Sequence, residues 1–216
     1  MNETSFSSVP ECLPLSLEFV DLKIPISGHV GEMKLVRYFL ENSALLKKLT
    51  LPLAEHSVRE KSTLKELLRI PRGSTKCEVL LCIYSKQEPL PQFGYVSRLH
   101  ISLRVTVLKS LPTFLESFPN LKSLILVCDD DYEKMNETSF STVPECLPLS
   151  LEFVDFEIPI SGHVGEMKLV RYFLENSAVL KKLTLTLEEY SVREKSTLKE
   201  LLRTPRASTK CEVVVI

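Results

Sequence analysis

Tryptophan is absent from the 216 residues, glycine occurs only six times, and neither sign of charge prevails. The 27 basic and 28 acidic side chains leave a formal net charge of −1, so nothing draws the whole chain to nucleic acid or anionic lipid. No apolar run approaches the ~20 residues that span a bilayer; Val79-Leu-Leu-Cys-Ile-Tyr84 is typical of the longest. The opening MNETSFSSVPE has neither the basic start nor the apolar centre of a secretory signal. The six cysteines, Cys12, Cys77, Cys82, Cys128, Cys146 and Cys211, include no C-x-x-C pair, which removes the usual geometry of zinc and thioredoxin-like sites. Cys77 and Cys82, the closest pair, would face opposite sides of a strand. Reduced, packed thiols and an intracellular location, cytoplasmic or nuclear, are expected. The sequons Asn2-Glu-Thr4 and Asn136-Glu-Thr138 then carry no meaning.

Leucine is what the chain has in abundance: 37 residues, about 17%. With 44% apolar and 25% charged residues, the balance is globular. The leucines sit in a duplication. Residues 1–82 align with 135–216 at a constant offset of 134, without a gap and with 70 of 82 pairs identical. Most of the 12 differences are mild, but Lys23/Glu157 reverses a charge. The organisation expected is a first copy over 1–83, a linker and bridge over 84–134, and a second copy over 135–216.

A finer rhythm runs through both copies and the bridge. Leu17-Glu-Phe-Val-Asp-Leu22, Leu46-Lys-Lys-Leu-Thr-Leu51, Val96-Ser-Arg-Leu-His-Ile101 and Leu121-Lys-Ser-Leu-Ile-Leu126 all read apolar-x-x-apolar-x-apolar. Leu151-Glu-Phe-Val-Asp-Phe156 and Leu180-Lys-Lys-Leu-Thr-Leu185 repeat it, and the apolar runs after Cys77 and Cys211 bring the strand candidates to eight. Between them lie helical stripes. Met33, Val36, Phe39 and Leu40 share one face, as do Leu111, Phe114, Leu115 and Phe118, with Pro112 in a first turn. Leu64, Leu67 and Leu68 form a third stripe, with Ser62 or Thr63 as cap and Pro71 as stop. Strands spaced mostly 25–31 residues apart and joined by helices predict an α/β fold. It is an irregular leucine-rich-repeat-like βα solenoid, with a curved parallel sheet on one face and helices on the other. The Pro-rich stretch Tyr84–Gly94 reads as a boundary, and Asp129-Asp-Asp131 as the start of a solvated loop running through Pro148 rather than a calcium site.

Several strings carry a resemblance: Val143-Pro-Glu-Cys-Leu147, Ser150-Leu-Glu-Phe-Val154, Gly165-Glu-Met-Lys-Leu-Val-Arg-Tyr-Phe-Leu-Glu-Asn176 and Cys211-Glu-Val-Val-Val215. They and their first-copy counterparts resemble the FBD domain found at the C-terminus of many plant F-box/leucine-rich-repeat proteins. The bridge string Leu111-Pro-Thr-Phe-Leu-Glu-Ser-Phe-Pro-Asn-Leu-Lys-Ser-Leu124 resembles the leucine-rich repeat that precedes that domain. The resemblance implies an interaction role near the substrate-recognition half of ubiquitin ligases. Full members open with an F-box that docks on a Skp-type adaptor. This sequence opens inside an FBD copy, so direct adaptor binding is not expected, and self-association through an uncapped N-terminal end is a route open to it.

There is no G-x-S-x-G, H-E-x-x-H, P-loop or G-x-G-x-x-G. Gly28-His-Val-Gly31 and Gly162-His-Val-Gly165 read as strand-to-helix turns rather than anion cradles. No enzyme activity, cofactor or metal is expected, and no nucleic-acid or membrane partner. The expected function is a non-enzymatic protein-interaction module with an unidentified protein partner; the alternative is a duplicated remnant with little independent function. In apolar-x-x-apolar-x-apolar the residues flanking the middle position point away from the core. This places Phe19, Asp21, Lys48, Thr50, Arg98, His100, Ser123, Ile125, Phe153, Asp155, Lys182 and Thr184 on an exposed, protein-binding sheet face. The competing expectation is that loops 4–14 and 138–148 cover Phe19 and Phe153.

Overall fold

The computed structural model describes residues 9–54, 60–74, 77–83, 92–94, 96–128, 139–140, 142–187 and 194–216. Asp129–Asp131 and most of Tyr84–Gly94 lie outside these residues. The chain divides into two units, 1–84 and 85–216. Every apolar-x-x-apolar-x-apolar string forms a strand, and within each unit neighbouring strands pair in parallel and in chain order. Each unit is therefore an α/β, leucine-rich-repeat-like ladder of strand and helix.

Unit 1 holds β1 (Phe19–Asp21), β2 (Lys48–Pro52) and β3 (Glu78–Ile83). Short helix α1 (Cys12–Leu15) precedes β1, and α2 (Val30–Asn42) and α3 (Glu60–Arg69) connect the strands. Leu49 and Leu51 point inward and are fully buried, with Leu46 beneath them. Helix α2 turns Met33, Val36 and Leu40 onto this layer, while Phe39 is only half-buried. Helix α3 adds Leu64 and Leu67 and stops before Pro71. It starts at Glu60, so Ser62 and Thr63 lie within its first turn and do not cap it. Thr63 is instead buried, with its hydroxyl 3.5 Å from the Ser27 carbonyl.

Unit 2 holds β4 (Arg98–Leu103), β5 (Ser123–Cys128), β6 (Phe153–Ile160), β7 (Lys182–Leu187) and β8 (Glu212–Val215). A 3₁₀ turn (Val105–Ser110) leads into α4 (Leu111–Leu115), with Pro112 in its first turn. Then come α5 (Cys146–Leu149), α6 (Val164–Asn176) and α7 (Glu194–Arg203). Leu111, Phe114, Leu115 and Phe118 are all buried. Phe93, which the sequence assigns to a linker, belongs to this core: its ring stacks on Phe118 at 5.3 Å and is 1% exposed. The short helices Cys12–Leu15 and Cys146–Leu149 carry no periodicity long enough to announce them.

Both long helices begin in the same way. Gly28 and Gly162 have φ of +87°, a conformation that L side chains resist, and a Cβ on Gly28 would lie 2.0 Å from the Thr63 hydroxyl. The amides freed by this turn do not wait for an external anion. In unit 1 those of Ser27, Gly28 and His29 donate to the Glu32 carboxylate at 2.8, 2.9 and 3.1 Å. In unit 2 Ser161, Gly162 and His163 do the same for Glu166 at 2.9, 2.8 and 3.0 Å. Burial alone would raise the Glu32 pKa, but these amides and the Ser27 hydroxyl hold it below the usual carboxylate range. The N-cap-to-third-residue spacing of a capping box, His29 to Glu32, was the available signal.

Candidate protein-binding face

Strand register lines the outward residues into rows. In unit 1 Phe19 lies beside Lys48, and Asp21 beside Thr50. In unit 2 one row runs Arg98, Ser123, Phe153, Lys182, Glu212, and the next runs His100, Ile125, Asp155, Thr184, Val214. Phe19 and Phe153 are 64% and 42% exposed, so neither ring is part of the core. Asp21, Arg98 and Lys182 are exposed as well, while Lys48, Thr50, Ser123, Ile125, Asp155 and Thr184 are half-buried.

His100 departs from the expectation. Its side chain is on this row but buried, at 4% exposure, because both faces of β4 are covered from Leu99 onward. Glu157, on the irregular stretch of β6 where the register shifts, reaches from two strands away to bring its carboxylate 3.5 Å from His100 Nε2. His100 is therefore not part of an accessible surface.

Each exposed ring is held by a neighbour the pattern did not single out. Lys47 Nζ lies over the Phe19 ring at 5.9 Å and pairs with Glu18 at 2.8 Å. Lys181 Nζ lies over Phe153 at 5.9 Å and pairs with Glu152 at 2.7 Å. The Lys181 hydrogen bond holds the Glu152 carboxyl below its ordinary range. Two residues further along the same strands the charge balance differs. Asp21 pairs with Lys23, whereas Asp155 is pushed up by burial and by Glu157, with Lys182 opposing. The Lys23/Glu157 reversal therefore changes the electrostatics beside an otherwise repeated aromatic platform.

A groove on the helix side of unit 2 is lined by Arg171, Glu175, Lys199, Glu200 and Arg203. Arg171 is engaged there by Glu200 at 3.1 Å and Glu175 at 3.8 Å, so the groove satisfies much of its own charge. Among the described residues no three His, Cys, Asp or Glu side chains are grouped as metal ligands, and no helix is long and apolar enough to cross a membrane. His29 and His163 sit in the helix-start turns.

Residues 4–51 and 138–185 each match the FBD family. Over 142 residues the chain is 58% identical to an FBD-associated F-box protein of Arabidopsis thaliana, covering 63% of this chain and 32% of that protein. It is 51% identical over 140 residues to an F-box/FBD/LRR-repeat protein of the same plant, covering 62% and 35%. Another F-box/FBD/LRR-repeat protein is 44% identical over 138 residues, covering 63% and 31%. The chain thus spans about a third of the length of these relatives. No solved structure matches it. Two stretches of the chain thus match the FBD family, and the chain is similar to plant F-box/FBD/leucine-rich-repeat proteins.

Proposed function

We propose that the chain is a non-enzymatic protein-interaction module, comparable in role to the substrate-recognition part of F-box ubiquitin-ligase adaptors, and that it contacts its partner through the sheet face centred on Phe153. One observation carries this reading: a 42%-exposed phenylalanine on a strand whose neighbours Val154 and Phe156 are 1% and 0% exposed. A ring that could have packed inward by a one-residue shift is presented outward, in mid-row and beneath a lysine. Aromatic side chains flanked by charge are frequent anchors of protein interfaces.

Proximity labelling in plant cells with the full chain and with Phe153→Ala tests the reading. Recurrent protein neighbours should be recovered with the first and lost with the second, while a thermal melt shows the variant to be as stable as the parent. Labelling profiles that do not change on substitution would exclude this face. A duplicated remnant without independent function would yield no recurrent neighbour and no cooperative melt.

A further inference from the structure

The row through Phe153 is asymmetric in charge, and the asymmetry defines what it can bind. At or just before the starts of β4 to β8 stand Arg98, Lys122, Lys181 and Lys182 against Glu152 and Glu212. All four cations are exposed; Lys181 and Glu152 engage each other, which leaves Arg98, Lys122 and Lys182 against Glu212. Arg98 and Lys122 come from the bridge and have no counterpart in unit 1, where the matching positions carry Glu18 and Glu78 against Lys47 and Lys48. The same ring is thus presented twice, once in a balanced setting and once at the centre of a basic one.

We infer that the Phe153 row of unit 2 docks an extended acidic peptide segment bearing an apolar side chain. This rests on the interaction role proposed above and names the chemistry of the partner. Neighbouring strands are ~4.8 Å apart, so Arg98 to Lys182 spans about 14 Å, the length of four or five extended residues at ~3.3 Å each. A segment crossing the strands would set its apolar side chain on the Phe153 ring. Its carboxylates on one side would meet Arg98 and Lys122, and on the other Lys182. Glu212 closes the row at β8 and repels further acidic residues beyond the segment. Nucleic acid fits less well, because a single ring offers only one stacking platform for successive bases.

The test uses the full chain and three fluorescent probes: an extended peptide of glutamate and serine with one central leucine, its twin with lysine for every glutamate, and a single-stranded oligothymidylate. The acidic peptide should bind at least about tenfold more tightly than either of the others. Its binding should weaken several-fold between about 50 and 200 mM salt. Lys122→Glu and Lys182→Glu should each weaken it about fivefold, Lys122→Gln and Lys182→Gln less, and Lys48→Glu in unit 1 not at all. Circular dichroism melts would confirm that the variants fold. If the lysine twin or the oligonucleotide binds as well as the acidic peptide, or if the unit 2 substitutions change nothing, the inference is overturned. Selection of peptides from a random phage-displayed library separates it from the broader reading. Selected peptides that are not acidic but need Phe153 overturn the inference alone, and peptides indifferent to Phe153 overturn both.

Discussion

The helix Val30–Asn42 and the helix Val164–Asn176 have the same sequence, yet they are not equally part of a core. The first buries Met33, Val36 and Leu40. The second buries these positions' counterparts and also Gly165, Glu166, Leu169, Tyr172 and Phe173. The strands differ likewise: Phe19–Asp21 is three residues long, whereas Phe153–Ile160 is eight. Leu17, Val20 and Leu22 are half-buried, but Leu151, Val154 and Phe156 are essentially inaccessible. The cause is the neighbouring repeat. The amides of Glu152 and Phe153 donate to Lys122, and Ser150 reaches the carbonyls of Pro119 and Leu121 at 3.0 and 2.8 Å. Among the described residues no strand pairs with the far side of β1. In a solenoid each repeat completes the core of the next, so one sequence acquires two environments.

The comparison can be broken most forcefully in the core. Phe173→Ala removes a fully buried ring and should destabilise unit 2 by about 3–5 kcal/mol. Phe39→Ala, at the matching half-buried position, should destabilise unit 1 by about half as much. Denaturant titration of each variant measures both, and equal losses would dissolve the distinction. A smaller effect is expected at the helix starts. Glu32→Gln should destabilise by roughly 1–2 kcal/mol at neutral pH. Because the folded Glu32 pKa is depressed, its stabilisation is present above the unfolded pKa and is lost as pH falls through the folded one. The variant should therefore show a flatter acid limb, and an unchanged pH profile would refute the role assigned to the turn amides. The gentlest probe is chemical. Cys12 is exposed, while its counterpart Cys146 is buried and its thiol is pushed up to about 12 by desolvation. Under native conditions near pH 8, mass-mapped alkylation should label Cys12 long before Cys146, because the thiolate is the reacting form. Labelling at similar rates would mean that α5 is not packed against the preceding repeat.

Much of this was legible in the leucines. The spacing in Leu46-Lys-Lys-Leu-Thr-Leu51 and its repeats specifies strand, direction of side chains and order, because period-two alternation and short helical crossovers leave few topologies. The outward placement of Phe153 follows from the same parity. What parity cannot supply is long-range context. Helices Val30–Asn42 and Val164–Asn176 are identical in sequence, so nothing local announces their difference in burial. His100 obeys the alternation and is nonetheless buried, because covering depends on what lies above the sheet and on Glu157 arriving from another strand. Phe93 sits in a Pro-rich stretch whose composition argues for a linker, and only the Phe118 ring makes it core. Gly28-His-Val-Gly31 reads as a plain strand-to-helix turn, and nothing in that reading says that the Glu32 carboxylate, four residues along, fills it.

The account turns on the claim that a preceding repeat, rather than the repeat's own sequence, decides how firmly its strand is held. Hydrogen exchange read by mass spectrometry on the full chain tests this most directly, by comparing Leu17–Leu22 with the nearly identical Leu151–Phe156. Slower exchange at 151–156 by at least about tenfold is the result expected from two-sided pairing of β6 and one-sided pairing of β1. Equal protection of the two segments would contradict it.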